Sequence, residues 1–333
     1  MTTDTTMTAL RFEQPGTPLM RVQVLRPEPA PGEVLVKIVA AGINPLDTKI
    51  RAGQATHARQ PAPSILGLDM AGIVEAVGEG VEEFAPGDAV YGMTGGVGGH
   101  PGALAQYVAA DAALLAHAPT TLPLADTAAL PLGFITAWEG LVDRARLATG
   151  QILLVHGGAG GVGSMAVQLG VALGARVVAT GSASQRSVIE SLGAAFADYR
   201  EIPIDALVDA HTGGEGFDVV YDTLGGATLD ASFAAARRYG GHVVSSLGWG
   251  THALAPLSFR AATYSGVFTL MPLLTGKGRE NHGRIMAEAT RLADAGKLRP
   301  VLSTRRFPLE DGNAALDLVE SGRPAGKVIV DID

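Results

Sequence analysis

A glycine-rich segment at residues 158–163, Gly-Ala-Gly-Gly-Val-Gly, constrains the fold of this chain more than any other feature. It follows the apolar run Ile152–Val155 and precedes residues 164–173, which have the composition of a helix. A G-x-G-x-x-G spacing between a strand and a helix is typical of a dinucleotide-binding unit. The alternative is a glycine-rich turn that serves only packing.

Each glycine of this segment has a physical role in such a unit. Gly158 allows the tight turn, Gly160 lets the backbone approach a pyrophosphate, and Gly163 lets the helix pack close to the strand. The amides at the helix start, those of Gly161 and Val162 among them, favour bound phosphate because the helix dipole is positive there. We therefore expect these five residues to bind the cofactor.

The residues after the glycines favour NADP(H) over NAD(H). An NAD-binding unit usually places Asp or Glu about 20 residues further on, where it bonds the ribose 2′-OH. Residues 145–188 contain neither. The second predicted strand, 176–180, is followed instead by Ser182 and Arg186, whose hydroxyl and guanidinium suit a 2′-phosphate. The alternative for Arg186 is a solvated arginine on a helix face.

Length and composition indicate a folded protein of two domains. A chain of 333 residues exceeds what one core normally serves. Its net charge of −8 argues against nucleic-acid and anionic-membrane partners. It has no cysteine, which excludes disulfides, thiolate catalysis and cysteine-liganded metal. No apolar run is long enough to cross a bilayer and residues 1–6 lack a signal-peptide pattern, so we expect a cytoplasmic protein with a short disordered leader.

The chain changes character along its length. Six apolar runs alternate with helical stretches and predict a doubly wound parallel sheet: 152–155, 176–180, 196–199, 217–222, 242–247 and 266–270. Residues 10–117 show alternating strands, glycine and proline turns and almost no helix, which indicates a compact β-rich barrel. A helix at 283–295 and a strand at 326–332 are expected to return to it. We therefore place the cofactor domain at 126–271 and the β-rich domain at 1–125 and 272–333.

Several characteristic sequence blocks are distributed over nearly the whole chain, at 41–51 (AGINPLDTKIR), 65–72 (ILGLDMAG), 77–78 with 86–90, 135–141 (ITAWEGL), 156–163 with 166–169, and 326–330 (GKVIV). In this order they resemble the medium-chain dehydrogenase/reductase superfamily, and within it the zinc-free quinone oxidoreductase (ζ-crystallin-like) branch. The resemblance implies an α/β fold with a Rossmann domain and a GroES-like catalytic domain. It also implies an NADPH-dependent reductase of quinones or α,β-unsaturated carbonyls.

The resemblance separates this chain from the zinc-dependent alcohol dehydrogenases of the same superfamily. Those use a cysteine and a Gly-His-Glu histidine for catalytic zinc and four cysteines for structural zinc. This chain has no cysteine and has Leu68 and Asp69 after Gly67 at that place. Its eight histidines show no close ligand spacing. We therefore expect no metal site and hydride transfer without zinc.

Without a metal to polarise the substrate, the easiest hydride acceptor is one that is already activated, such as an enone, an alkenal or a quinone. The protein must hold the acceptor near the nicotinamide and direct hydrogen-bond donors at its oxygen. The resemblance assigns Asn44, Lys49 and Thr136 to this part of the site. The alternatives are a turn cap for Asn44, a solvated lysine for Lys49 and a helix N-cap for Thr136. Asp47 is expected to cap the next turn or to pair with Arg51.

Two positions depart from the quinone reductases. Many bacterial quinone oxidoreductases have tyrosines where this chain has Lys49 and Ala55. The pattern N-P-x-D-x-K-x-R is more similar to enone and alkenal reductases. These departures count against a preference for quinones, and both quinones and α,β-unsaturated carbonyls stay open as substrates.

The resemblance assigns further residues to the cofactor. Tyr199 is expected near the adenosine phosphate, although strand-end packing explains it equally well. The remaining candidates lie toward the nicotinamide or the cofactor cleft: Ser246, Leu247, Gly248, Phe268, Leu270 and Lys327. Trp249 is expected to line the substrate pocket or the core, and His100 and His156 are expected to be structural.

Assembly and activity each leave alternatives. In relatives the sixth strand pairs across a two-fold axis, and residues 265–270 are uncharged and apolar like a covered edge, so a homodimer is expected. One alternative activity is an enoyl-thioester reductase, which would need a basic entrance for coenzyme A that the sequence does not show. The other alternative is a protein that binds NADPH without turnover.

Overall fold

The computed structural model of the protein describes residues 5–322 and 326–333. The chain forms two compact units: the first unit comprises Met1–Leu132 and Leu270–Asp333, and the central unit comprises Gly133–Thr269. The sequence placed these boundaries at 125/126 and 271/272. Residues 1–4 of the expected leader lie outside the described residues, and Thr6 already begins the first strand.

The described residues contain sixteen strands and eleven α-helices. The strands are β1 (Thr6–Phe12), β2 (Met20–Leu25), β3 (Glu33–Ile43), β4 (Ser64–Ile65), β5 (Asp69–Val77), β6 (Ala89–Met93), β7 (Tyr107–Asp111), β8 (Leu115–His117), β9 (Ile152–Val155), β10 (Arg176–Gly181), β11 (Ala195–Asp198), β12 (Val219–Asp222), β13 (His242–Ser245), β14 (Thr263–Gly266), β15 (Leu302–Pro308) and β16 (Lys327–Asp331). The helices are α1 (Pro45–Arg51), α2 (Leu124–Thr127), α3 (Pro131–Trp138), α4 (Gly161–Ala172), α5 (Arg186–Ser191), α6 (Ile204–Thr212), α7 (Gly226–Ala235), α8 (Ala255–Ser258), α9 (Met271–Thr275), α10 (Arg279–Asp294) and α11 (Gly312–Glu320). A π-helical segment, Glu139–Arg144, follows α3 directly.

Two sheets form the first unit. β2, β1 and β4 make a three-stranded sheet, and seven strands make the other, in the order β15-β16-β3-β5-β6-β8 with β7 also paired to β3. β3 is central to the larger sheet and ends in small residues that allow close packing. A Cβ on its Gly42 would lie 2.1 Å from the carbonyl oxygen of Ala128. Asn44 follows β3, and Pro45 then begins α1, since proline is pre-organised for the first helical position.

The central unit is a six-stranded parallel sheet in the order β11-β10-β9-β12-β13-β14. This order confirms the predicted doubly wound Rossmann sheet. Every residue of β12 is buried, as expected of a parallel strand that helices cover on both faces. One row of the core runs across four strands, because Leu154 pairs with Val178 and Val220, and Val220 pairs with Val243.

The sixth predicted strand is present, but its predicted position is wrong. The sequence placed it at 266–270, but β14 is Thr263–Gly266 and its ladder with β13 runs from the pair of His242 and Thr263 to the pair of Ser245 and Gly266. The apolar run continues past the end of the strand because Val267 and Leu270 are buried there. An apolar run by itself does not distinguish a strand from a buried turn.

Other predicted boundaries move by a few residues. The strand predicted at 217–222 begins at Val219, the strand at 242–247 ends at Ser245, and the helix at 283–295 is Arg279–Asp294. The helix after the glycines begins at Gly161 rather than residue 164. The expectation of almost no helix in residues 10–117 missed α1. No helix in the described part of the chain is both long and apolar enough to span a bilayer.

Candidate functional site

The glycine segment forms the turn between β9 and α4 in the central unit. There is no room for side chains at Gly158 and Gly163. A Cβ on Gly158 would lie 2.6 Å from a side chain of β10, and a Cβ on Gly163 would lie 2.1 Å from the carbonyl oxygen of Gly157. At Gly160 a Cβ would meet only that same oxygen, at 3.3 Å, and at Gly161 it would meet nothing within 4 Å. Packing within the protein therefore explains Gly158 and Gly163 but not Gly160.

The start of α4 offers amide donors. Gly160 is the N-cap, and no side chain caps the helix. The amides of the first turn, those of Gly161, Val162 and Gly163, have no partner within the helix. The helix dipole adds partial positive charge at this end. A bound phosphate fits these donors and the open space beside Gly160.

His156, which precedes the glycines, is buried and neutral. Its Nδ1 lies 3.3 Å from the hydroxyl of Thr180, which also accepts a hydrogen bond from the Gly157 amide. Burial lowers the pKa of His156 to about 4, although the carboxylate of Asp222 opposes the shift. The imidazole therefore carries no charge near neutral pH, so the attraction for a phosphate comes from the amides.

Tyr199 and Arg200 lie beside the end of β10. The Tyr199 amide donates to the carbonyl of Gly181, the residue before Ser182. Arg200 Nε lies 3.2 Å from the Tyr199 hydroxyl, and both side chains are exposed. Arg186 turns to other partners, because its guanidinium lies 4.3 Å above the Phe196 ring and 3.4 Å from Glu190. Its placement matches the helix-face alternative, and Arg200 is a second guanidinium that sequence reasoning missed.

Thr136 lies inside α3 and is buried. The N-cap alternative for this residue is wrong, because the helix begins at Pro131. The carbonyl oxygen of Thr136 accepts a hydrogen bond from the Tyr221 hydroxyl at 2.7 Å. Tyr221 belongs to β12, so the strand beside the glycine turn contacts the helix that carries Thr136.

The segment after β13 contains three of the predicted cofactor residues. The Ser246 amide donates to the carbonyl of Asp222, and the Leu247 amide donates to the hydroxyl of Ser245. At Gly248 a Cβ would lie 2.0 Å from the Tyr264 hydroxyl, so packing already requires this glycine.

Two aromatic residues of the predicted site, Trp249 for the substrate pocket and Phe268 for the nicotinamide, lie close together. The ring of Trp249 is half exposed and lies 6.2 Å from the ring of Phe268, at a steep angle. Trp249 therefore lies at the surface of the central unit and not in its core. Leu270 is buried and belongs to the first unit, where it is the N-cap of α9.

In the first unit, Asn44, Asp47, Asp69 and Lys327 form one buried polar group, called the Asn44 cluster below. Lys327 Nζ donates to Asn44 Oδ1 and, at 2.9 Å, to Asp69 Oδ2. Asn44 Nδ2 donates to Asp69 Oδ2 at 2.9 Å and lies 3.4 Å from the carbonyl of Gly42. The amide protons of Asn44 are thus directed into the protein, which limits its predicted role as a donor to substrate.

Strand register brings the Asn44 cluster together. Val328 of β16 is opposite Ile43 of β3, which places Lys327 beside Asn44. Gly42 of β3 is opposite Asp69 of β5. The other carboxylate oxygen of Asp69, Oδ1, accepts a hydrogen bond from the backbone amide of Leu132 at 2.9 Å. Both carboxylate oxygens of this fully buried residue are therefore hydrogen-bonded.

Asp47 is the unusual member of the cluster. Its Oδ2 accepts a hydrogen bond from the backbone amide of Asn44 at 2.8 Å. Its Oδ1 is buried without a hydrogen-bond partner among the described residues. Burial raises the pKa of Asp47 to about 7, with Asp69 adding to the shift and Lys327 and nearby amides opposing it. The expected pair with Arg51 is wrong, because Arg51 pairs with Asp317 and Glu320 at 2.7 and 2.6 Å.

Lys49 and Ala55 lie outside the Asn44 cluster. Lys49 is exposed on α1, and together with burial its charge lowers the pKa of His57. Ala55 is buried and lines a pocket of about 190 Å³ with Ile50 and Arg59. Among the described residues, no group of three or more His, Asp or Glu side chains is placed to hold a metal ion.

Sequence reasoning missed Asp69 and Tyr221 as well as Arg200. The only signal for Asp69 was a carboxylate in an otherwise apolar block, at 65–72. Tyr221 carried no signal, since a tyrosine in an apolar strand is an ordinary core residue. Its contact with Thr136 spans 85 positions and depends on the tertiary fold.

Two known sequence families match the chain. The family described as alcohol dehydrogenase GroES-like domain matches residues 30–120, and the family described as zinc-binding dehydrogenase matches residues 192–330. A solved structure of an alcohol dehydrogenase superfamily protein from Novosphingobium aromaticivorans is 51% identical, with a TM-score of 0.96 over 98% of this chain and all of that chain. The predicted α/β fold with a Rossmann sheet and a GroES-like domain is confirmed.

Curated relatives carry reductase names. The chain is 35% identical to 2-methylene-furan-3-one reductase of Solanum lycopersicum, over 90% of this chain and 71% of that protein. It is 34% identical to the chloroplastic NADPH-dependent alkenal/one oxidoreductase of Arabidopsis thaliana, over 92% and 74%. It is 31% identical to the quinone oxidoreductase of Sus scrofa, over 97% of each. The chain therefore belongs to the medium-chain dehydrogenase/reductase superfamily, in its quinone oxidoreductase branch, and is an oxidoreductase.

Proposed function

We propose that this protein is an NADPH-dependent reductase of α,β-unsaturated ketones and aldehydes that works without a metal ion. The observation that carries the proposal is the space beside Gly160 at the start of α4. Internal packing does not require a glycine at this position, whereas a phosphate approaching the uncapped amides does.

The residues of the central unit fit a nicotinamide dinucleotide. The amides of residues 161–163 would hold the pyrophosphate. Toward the adenosine, Ser182, Tyr199 and Arg200 offer two hydroxyls and a guanidinium with no carboxylate among them, which suits a 2′-phosphate and supports NADPH over NADH. Toward the nicotinamide, the candidates are Thr136, Ser246, Leu247, Gly248 and Phe268. When bound, the reduced nicotinamide supplies the hydride.

The first unit supplies groups that suit an acceptor oxygen. As a β carbon accepts hydride, negative charge develops on the conjugated oxygen. A donor fixed in advance stabilises that charge by roughly 3 kcal/mol. Lys327 is fixed in this way, because Asn44 and Asp69 accept two of its three ammonium protons, which leaves one proton without an acceptor among the described residues. We propose that Asn44 holds Lys327 in place, and that Lys327 and the exposed Lys49 stabilise the negative charge on the acceptor oxygen.

The class of acceptor follows from the relatives and from two positions. The plant relatives are named for an unsaturated furanone and for alkenals and enones. Lys49 and Ala55 stand where many bacterial quinone reductases have tyrosines, and Ala55 leaves a pocket beside it. We therefore place enones and alkenals before quinones as substrates.

A panel of acceptors tests the proposal. The purified protein is given NADPH with a 2-alkenal, a cyclic enone, 1,4-benzoquinone or crotonyl-CoA, and each reaction is repeated with NADH while the absorbance of the reduced nicotinamide is followed. We expect turnover of the enone and alkenal with NADPH. Selective reduction of crotonyl-CoA would replace the proposal with an enoyl-thioester reductase. Binding of NADPH without turnover of any acceptor would replace it with a binding protein.

We also propose that the protein is a homodimer joined along β14. This strand ends the six-stranded sheet of the central unit, and its four residues include no fully buried one. Phe259 and Tyr239 nearby are 84% and 89% exposed. Such aromatic exposure next to an open strand edge suits a second copy of the chain. Light scattering is expected to give the mass of a dimer for the wild type and the mass of a monomer for Phe259→Glu. A monomeric wild type would refute this proposal.

A further inference from the structure

The helix that carries Thr136 widens immediately after this residue. α3 ends at Trp138 and continues as the π-helical segment Glu139–Arg144. In that segment the Ala145 amide donates to the carbonyl of Gly140 at 2.9 Å, five residues back instead of four. A π-helical turn is rare, and it needs a local cause because its backbone is less favourable than an α-helix.

The side chain of Tyr221 packs against the widened segment. It is fully buried, and its ring fills the space beside the helix: a Cβ on Gly140 would lie 2.1 Å from a ring carbon. Its hydroxyl donates to the Thr136 carbonyl at 2.7 Å. In an α-helix the amide of residue 140 would bond that carbonyl. The Tyr221 hydroxyl therefore holds the carbonyl of Thr136 just before the helix widens.

The widened segment has a second anchor. The hydroxyl of Thr269 donates to Oε2 of Glu139 at 2.8 Å, and Thr269 follows Phe268, another candidate for the nicotinamide. The backbone carbonyl of Tyr221 also accepts the amide of His156, the residue before the glycine turn. Tyr221 thus contacts both the glycine turn and the helix of Thr136, all within the central unit.

We propose that Tyr221 is a positioning residue for hydride transfer, which holds Thr136 and the widened segment Glu139–Arg144 in the geometry that the nicotinamide requires. This inference rests on the proposed function. Displacing a reacting group by about 1 Å costs up to about 100-fold in rate. The hydroxyl is a constant donor, because burial, helped by the Glu139 and Asp222 carboxylates, raises the pKa of Tyr221 above its usual range.

A matched pair of variants separates positioning from packing. Tyr221→Phe keeps the ring and deletes the hydrogen bond to Thr136. Tyr91→Phe is the control, because Tyr91 is also fully buried and its hydroxyl donates to a helix carbonyl, that of Met286, at 2.8 Å in the first unit. We expect both variants to unfold at a similarly lowered urea concentration. The kcat with NADPH is expected to fall 10- to 100-fold only in Tyr221→Phe, with a larger isotope effect from deuterated NADPH and little change in NADPH affinity.

The outcomes distinguish this inference from the proposed function. An active wild type with Tyr221→Phe as active as Tyr91→Phe would overturn the positioning role. An inactive wild type would overturn the proposed function, and amide hydrogen exchange then decides the positioning role. Exchange over residues 131–147 is expected to quicken in Tyr221→Phe and not in Tyr91→Phe, and equal rates in the two variants would overturn the inference. If Tyr221→Phe does not fold, Thr269→Val, which deletes the second anchor of the segment Glu139–Arg144, takes its place. A lowered kcat with faster exchange over residues 131–147 is expected, and an unchanged kcat with faster exchange would overturn the inference, because the geometry of the segment would then not matter for hydride transfer.

Discussion

Replacing three glycines of the turn by alanine, one at a time, separates cofactor binding from packing. At Gly163 the new Cβ would lie 2.1 Å from a backbone oxygen, so the turn must move by about 1 Å. Overpacking of this kind costs about 1–3 kcal/mol or more, and the helix propensity of alanine returns at most about 1 kcal/mol. We expect Gly163→Ala to lose about 2 kcal/mol of the free energy of unfolding.

Gly160→Ala is expected to behave in the opposite way. Its Cβ meets one oxygen at 3.3 Å, which a shift of a few tenths of an ångström relieves, so stability should change by less than about 1 kcal/mol. The methyl group then occupies the space that the phosphate needs. Loss of one charge-assisted hydrogen bond, about 1.5–3 kcal/mol, corresponds to about 10- to 100-fold weaker NADPH binding. Gly161→Ala is the control: its Cβ meets nothing, and both stability and affinity should be kept.

Urea denaturation gives the stability of each variant, and the fluorescence of bound NADPH gives its dissociation constant. The reasoning is refuted if Gly160→Ala binds NADPH as tightly as the wild type. It is refuted also if Gly160→Ala loses as much stability as Gly163→Ala, because the turn would then be a packing device alone.

Three further predictions concern charged residues. Lys327→Met should lower the free energy of unfolding, measured by urea denaturation, by about 3–5 kcal/mol, because it leaves the fully buried Asp69 without its cation. Adding Asp69→Asn to this variant should restore part of the loss. Because the pKa of Asp47 is raised, the folded state keeps the carboxyl proton up to about pH 7, whereas the unfolded state loses it near pH 3.8. The free energy of unfolding of the wild type should therefore fall as the pH rises between these values, by up to roughly 4 kcal/mol. That slope should be missing in Asp47→Asn, and an identical slope in the variant would contradict the assignment. Arg200→Ala should weaken NADPH binding about 10- to 100-fold and leave NADH binding unchanged in a titration; equal losses would show that Arg200 does not contact the 2′-phosphate.

The sequence determined the central sheet and predicted the turn at which the cofactor would bind. Both depend on local patterns: short apolar runs between helices indicate parallel strands, and the glycine spacing between a strand and a helix indicates a phosphate turn. The same local patterns failed at β14, because the buried residues Val267 and Leu270 continue an apolar run beyond the end of the strand at Gly266.

The tertiary structure decided which polar residues meet. Asn44 and Lys327 are 283 positions apart, and Asn44 and Asp69 are 25 apart. Their contact depends on the register of β16 and β5 against β3, since a shift of one residue would turn these side chains to the other face of the sheet. The contact of Tyr221 with Thr136 likewise requires β12 and α3 to pack together. Such pairings between distant segments are fixed by packing of the whole chain, and no local pattern in the sequence records them.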